Sequence, residues 1–275
     1  MFDALPNELV DLVAHQMDRE SFLNFRLTSR KASKISQWSF ACRFMKDITI
    51  EGSREGVART TDMLDLTHAQ LMAESLTIKS PTISKSLTES LRHGPGAAAT
   101  PRADFAQLLK KMPNLKTLGL RQTWEMSGLM GVDLAHTVLE ALLRPETPKL
   151  TALDLDEAVV DGGLLLAVLQ LHGQSLRKLQ LRCIEIESGR TWFEIFARMR
   201  DGLGLQDLVL VDLCDHTLDE ELAFVASPFA IVAGYGEGIR HGPDRCWFFG
   251  NGAYMSGAGL VAGFKKLAEL SEIQP

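Results

Sequence analysis

The chain has 275 residues, 45% of them hydrophobic and 23% charged, with a net charge of −6 and a pI near 5.7. That is the composition of an ordinary globular protein, and the acidic balance argues against a general nucleic-acid binder, whose footprint is basic. No run of about eighteen apolar residues is present, so no membrane span is expected, and the N-terminus lacks the basic-then-apolar order of a signal peptide.

Leu5, Leu9, Leu12 and Val13, with Met17 a turn further on, have helical spacing. Pro6 suits a helix start, where its missing N–H costs nothing. Asp18 is the expected N-cap of a second helix carrying Phe22, Leu23 and Phe25. A third helix is predicted over 29–37, with Arg30, Lys31, Ser33 and Lys34 wet and Ala32 and Ile35 turned inward. Three such helices cannot bury all their apolar surface among themselves, so the segment reads as a docking element.

After residue 44 the pattern changes to short strands written apolar-x-x-apolar-x-apolar. Their middle anchors are Ile48, Leu76, Leu118, Leu153, Leu179 and Leu208, and helices are expected between them, among others over 132–143, 163–171 and 191–199. Strand, turn and helix repeated in this way predict an irregular leucine-rich-repeat solenoid. A doubly wound sheet would give the same alternation, but the repeated Leu-x-Leu core and the very short strands weigh against it. The fold class expected is therefore α/β, with a three-helix unit at 1–40 and the solenoid at 41–275. Within the latter, His93 to Pro101 reads as a surface excursion with no role of its own.

In a Leu-x-Leu strand the leucines point inward and the intervening residues outward. The outward set is Thr49 and Glu51, Thr77 and Lys79, Gly119 and Arg121, Asp154 and Asp156, Gln180 and Arg182, Val209 and Val211. Arg121, Asp156 and Arg182 are placed to pair across neighbouring strands or to meet a charged partner. Arg121, Asp154, Asp156, Gln180 and Arg182 are the candidate target-binding residues. Trp124 and Trp192 are candidate aromatic anchors, although a single Trp is more often core. Residues 234–263 hold nine glycines interleaved with Trp247, Phe248, Phe249 and Tyr254. They read as an irregular loop before a helical cap (Leu260, Phe264, Leu267, Leu270), since a solenoid must hide its last apolar face; a binding loop is the other reading.

Catalytic signals are sparse. Gly234-Tyr235-Gly236-Glu237-Gly238 lacks the strand–GxGxxG–helix setting of a phosphate cradle. Cys214-Asp215-His216 reads as a loop after a strand, because triads are assembled by the fold and not by adjacency. His15 reads as a polar-face residue, and Asp219-Glu220-Glu221 as the solvated start of a helix. Cys42, Cys183, Cys214 and Cys246 are scattered, without metal spacing. Reduced thiols in a cytoplasmic or nuclear protein are expected, with no catalytic residue, metal or cofactor.

Two segments carry a family resemblance. Leu5-Pro6-x-Glu8-Leu9, followed by Val13, Met17-Asp18, Ser21, Leu23 and Arg26-Leu27-Thr28-Ser29-Arg30, resembles the F-box, in its fungal variety. Phe44-Met45-Lys46-Asp47-Ile48-Thr49-Ile50, with Gly56-Val57-Ala58 and Leu64, is similar to the segment that leads fungal F-box proteins into their repeats. The resemblance implies a substrate receptor of an SCF-type ubiquitin ligase. Leu5, Pro6, Leu9 and Leu23 would dock on a Skp-type adaptor, and through it on a cullin, while the repeats hold an unknown target protein. Neither nucleic acid nor membrane is an expected partner. The alternatives are a non-catalytic interaction scaffold that promotes no ubiquitination, and a hydrolase built on Cys214 or the glycine-rich tail.

Overall fold

The structure is a computed structural model that describes residues 6–65, 69–80, 104–122, 132–215, 246–249 and 252–256. Trp124, residues 93–101, His216, residues 219–221 and the expected terminal helix lie outside the described residues.

The chain opens with α1 (Asn7–Gln16), α2 (Arg19–Thr28), α3 (Arg30–Ile35) and α4 (Gln37–Phe44). Asp18 caps α2 as expected: its carboxylate accepts from the Ser21 N–H at 2.9 Å and the Ser21 hydroxyl at 2.7 Å. Ser29 caps α3 by accepting from the Ala32 N–H at 3.0 Å. The fourth helix is an addition to the three expected. Its Phe40 packs against both the N-terminal core and the larger core that follows, so α4 joins the two.

The rest alternates strand and helix: β1 (Asp47–Glu51), α5 (Arg54–Leu64), α6 (Ala69–Met72), β2 (Ser75–Lys79), α7 (Phe105–Lys110), β3 (Thr117–Arg121), α8 (Val132–Leu142), β4 (Ala152–Asp161), α9 (Gly162–His172), β5 (Lys178–Ser188), α10 (Trp192–Gly202) and β6 (Asp207–Asp215). β7 (Cys246–Phe249) and β8 (Gly252–Ser256) follow. All are in one sheet of order β1-β2-β3-β4-β5-β6-β8-β7, with the first six strands parallel. Neighbours in the parallel part are consecutive in sequence. A doubly wound sheet reverses its order at a switch point, and this one does not.

The six anchors are register partners, Ile48↔Leu76↔Leu118↔Leu153↔Leu179↔Leu208, and all are buried. The second row, Ile50, Ile78, Leu120, Leu155, Leu181 and Leu210, is buried with them. Backbone geometry repeats too. The Lys46 carbonyl accepts the N–H groups of Glu74 and Ser75, Glu74 those of Lys116 and Thr117, and Lys116 those of Thr151 and Ala152. Thr151 then takes those of Arg177 and Lys178, and Arg177 those of Gln206 and Asp207. One turn chemistry is thus used five times at the strand entrances.

β4, β5 and β6 are longer than the very short strands expected. Glu157 (φ 56°) and Cys183 (φ 51°) adopt the left-handed conformation at matching places in β4 and β5. Such a residue lets two consecutive side chains stay off the core. The buried set therefore steps from Leu155 to Ala158 and from Leu181 to Ile184, then continues to Val160 and Ile186.

The glycine-rich region departs from the irregular loop expected of it. Its described part is a hairpin: β8 pairs antiparallel with β6, and β7 with β8. β8 thereby covers the edge of β6, which otherwise presents unpaired N–H and C=O groups.

Candidate interaction surfaces

The N-terminal helices have a core of their own: Val10, Ala14, Phe22, Phe25 and Ala32, with Met17, Ile35, Phe40 and Phe44 packed against it. Two arginines hold it together. The Arg43 guanidinium, on α4, donates to the Ala14 carbonyl at 3.2 Å and the Met17 carbonyl at 2.8 Å, satisfying the end of α1. It also lies 4.9 Å from the Phe22 ring centroid. Arg26 donates to Ser36 Oγ at 3.1 Å and Ser33 Oγ at 3.3 Å, with its guanidinium 4.4 Å from the Phe40 centroid. Burial pushes the Arg26 pKa down from its ordinary value.

With that core complete, large apolar side chains still face outward. Leu9 (48% exposed), Leu12 (60%) and Val13 (41%) share one face of α1, at i, i+3 and i+4. Leu23 (37%) and Leu27 (84%) share a face of α2, and Trp38 on α4 is exposed as well. Of the residues expected to dock, Leu9, Leu23 and Pro6 are at the surface, and Leu5 lies outside the described residues. Leu12, Val13, Leu27 and Trp38 are further large apolar side chains exposed on these helices. For Leu12 and Val13 the sequence holds a signal in the excess of apolar positions on α1: 9, 10, 12, 13 and 14 cannot all face one neighbour. Between α1 and α3 lies an open cleft of about 540 Å³, lined by Asn7, Glu8 and Asp11 on one side and Lys31, Lys34 and Ile35 on the other.

Asp11, Ser39 and His15 meet where α1 packs on α4. Ser39 donates to Asp11 Oδ1 at 2.6 Å, and its Oγ lies 3.2 Å from His15 Nδ1. The single hydroxyl proton is committed to the carboxylate, so the imidazole donates to Ser39 and does not act as its base. This is a strut between helices and not a nucleophile with its activator. Nearby, Cys42 Sγ lies 3.7 Å from Met72 Sδ, and burial followed by the Asp11 charge pushes the thiol pKa up, away from the reactive thiolate.

The outward face of the sheet carries the predicted rows in register. One is Thr49, Thr77, Gly119, Asp154, Gln180, Val209; the other is Glu51, Lys79, Arg121, Asp156, Arg182, Val211. On the β6 side the backbone register continues as Val209↔Tyr254 and Val211↔Gly252. Of the two readings of Arg121, Asp156 and Arg182, pairing with one another is not what the ion pairs show. Both arginines turn to Asp154: Arg182 Nη1 is 3.3 Å from Oδ1, Arg121 Nη2 is 4.0 Å from Oδ2, and Arg182 Nη2 donates to Gln180 Oε1 at 2.6 Å. Long side chains reach diagonal neighbours on a sheet, and Gly119 beside Asp154 leaves room for Arg121 to lean back. Burial pushes the Asp154 carboxyl above its usual range, and the two guanidiniums only partly reverse it.

Trp192 is core: fully buried, it stacks on Phe196 with centroids 5.4 Å apart. Cys214 and Asp215 belong to β6, not to a loop after it. Among the described residues no group of three His, Cys, Asp or Glu side chains could hold a metal ion, and no helix is long and apolar enough to cross a membrane.

Comparison with known proteins agrees with the helical end of the molecule. No curated protein matches the chain. The family model described as F-box domain matches residues 2–40, the segment that forms α1 to α3 and enters α4. Domains of this type typically bind Skp-type adaptors and belong to substrate receptors of SCF ubiquitin ligases. The helical core with apolar side chains left over on its surface lies where the F-box domain model matches.

Proposed function

We propose that the chain is the substrate-recognition subunit of an SCF-type ubiquitin ligase, working in the cytoplasm or nucleus without a catalytic site of its own. Leu5, Pro6, Leu9 and Leu23 dock on the Skp-type adaptor, joined by Leu12, Val13 and Leu27, and the adaptor leads to a cullin. The sheet and its helices are a leucine-rich-repeat solenoid. Its outward face, through Arg121, Asp154, Asp156, Gln180 and Arg182, holds the target protein. The repeated entrance hydrogen bonds and the in-register leucine rows favour the repeat reading. The mechanism is proximity: a tethered target meets the ubiquitin-charged enzyme at high effective concentration.

The observation that carries this reading is the exposure of Leu9, Leu12, Val13, Leu23 and Leu27 on a unit whose own core is already closed. Removing exposed apolar side chains leaves folding stability nearly unchanged but removes interface area. The test is co-purification of the full chain with a Skp-type adaptor. The expected result is a stable complex, lost in the variant L9S/L23S/L27S while its thermal midpoint stays within a few degrees of the parent. No complex with the parent chain, or an undiminished one with the variant, overturns the assignment. Reconstitution with the cullin and charged enzyme then separates a receptor, which supports ubiquitin transfer, from a scaffold, which does not.

A further inference from the structure

α9 differs in chemistry from α5, α7, α8 and α10, each of which carries charged residues. Its eleven residues, Gly162–His172, include no Asp, Glu, Lys or Arg. A helix that is apolar all round is normally covered all round. Within the described residues α9 is covered on three sides: β4 and β5 lie beneath it, and α8 and α10 flank it. Gly162, Leu165, Val168, Leu169 and His172 form its buried side. The opposite side is open, with Leu164, Leu166 and Ala167 half-buried and Leu171 40% exposed.

The flanking helices turn charge outward beside this stripe. α8 presents His136 and Glu140, and α10 presents Glu194 and Arg198. An apolar centre with polar margins is the anatomy of a protein interface. The margins are also complementary to each other. From the N-terminal end α8 reads His136 then Glu140, and α10 reads Glu194 then Arg198, the same four-residue step with acid and base exchanged. Each carboxylate has a cation on its own chain, His136 at 3.1 Å from Glu140 and Arg190 at 2.7 Å from Glu194. Such exposed pairs are weak and leave carboxylate lone pairs for a second cation.

We infer that the outer face of α8, α9 and α10 docks a second copy of this chain. A two-fold axis running along α9 sets the α8 margin of one copy against the α10 margin of the other. Glu140 then meets the second copy's Arg198, and His136 its Glu194, each contact made twice by symmetry. The apolar stripes close on each other at the axis, so Leu171 leaves water and α9 gains the cover its composition calls for. Carboxylates on both margins and a net charge of −6 disfavour a nucleic acid or an anionic lipid surface as the occupant. Three helices about 16 Å long and about 10 Å apart make a face at the small end of specific interfaces, so the dimer forms at micromolar concentration. The contact goes beyond the receptor reading and does not depend on it. It leaves α1 and α2 free for the adaptor and the outward face of the sheet, on the side away from the helices, free for a target.

The experiment is sedimentation velocity of the full chain in complex with the Skp-type adaptor, over a micromolar concentration series. The adaptor keeps the leucines of α1 and α2 from associating on their own; the L9S/L23S/L27S chain, run alone, does the same if no adaptor complex forms, so the result does not hang on the receptor reading. The expected mass rises with concentration and levels off at two copies, because a two-fold contact closes on itself. L171E holds it at one copy with an unchanged thermal midpoint, and L171S serves if the added charge impairs folding. E140R alone and R198E alone each weaken the dimer about tenfold, and E140R/R198E together restore most of it, since the pair re-forms with its signs exchanged. A single-copy mass at every concentration, a mass that climbs past two, an L171E chain that pairs like the parent, or a charge swap no better than its single variants overturns the inference. Binding of a monomeric chain to phosphatidylcholine vesicles, lost in L171E, gives the stripe to a lipid surface and overturns it as well.

Discussion

His172 shows how one buried polar side chain ties neighbouring units together. It is 2% exposed; its Nδ1 accepts the Leu150 N–H at 3.3 Å, and its Nε2–H donates to the Leu142 carbonyl at 3.3 Å. Accepting the Leu150 N–H needs the neutral ring, and burial pushes its pKa down from the ordinary value. The unfolded chain therefore takes up a proton before the folded one. The histidine's contribution is complete above the unfolded pKa, about 6.5, and is progressively lost as pH falls below it. The urea midpoint is expected to drop between pH 7.5 and 5.5, and the drop should shrink in H172Q. H172L strands the Leu150 N–H and the Leu142 C=O and is expected to cost about 2 to 4 kcal/mol. A midpoint indifferent to pH, or an H172L variant as stable as the parent, contradicts this account. None of this was legible beforehand, since His172 looked like any isolated histidine in the sequence and its two partners are twenty-two and thirty residues away.

Among the elements, the helix starts were legible because caps are local chemistry. Asp18, Ser29 and Thr191 each sit one residue before a helix and accept an N–H three residues on. The same holds for Asp161, which caps α9 through the Leu164 N–H at 2.7 Å and also accepts from the Ser188 hydroxyl at 2.8 Å. At the next residue a side chain is impossible, because a Cβ on Gly162 would run into the Arg190 carbonyl oxygen. D161A is expected to lower stability by about 1 to 2 kcal/mol, and G162A by more, both measurable in urea. Which face of a helix meets the core was not legible. On α1 the larger Leu9, Leu12 and Val13 point away while Val10 and the small Ala14 point in, because Ala14 lets α1 approach Phe22 closely and leaves its carbonyl to Arg43. R43A removes both carbonyl contacts and is expected to destabilise the helical unit by about 2 kcal/mol, visible as an early helical transition in thermal melts. Coincident melting of parent and variant counts against that role.

The whole molecule is an ordered series of parallel strands whose end is closed by an antiparallel hairpin. Ending the chain at residue 215 uncovers the β6 edge, and concentration-dependent self-association in light scattering is the expected outcome; a monodisperse truncated chain would show that the hairpin does not protect it. The hairpin escaped sequence reading because glycines at 250, 252 and 257 interrupt the alternation that marks a strand. The amino-acid sequence by itself determined the helices at the N-terminus, the six parallel strands and the rows they present, since caps, helical spacing and Leu-x-Leu alternation act between residues a few positions apart. Only the tertiary structure decided which apolar residues of α1 and α2 were left facing solvent, and that Arg121 and Arg182 converge on Asp154 and not Asp156. It also decided that Glu157 and Cys183 take the left-handed conformation at matching places in β4 and β5, and that the glycine-rich region adds strands. These outcomes depend on packing and electrostatics between segments far apart in the chain, where the choice of partner is made by the space and charge each neighbour leaves.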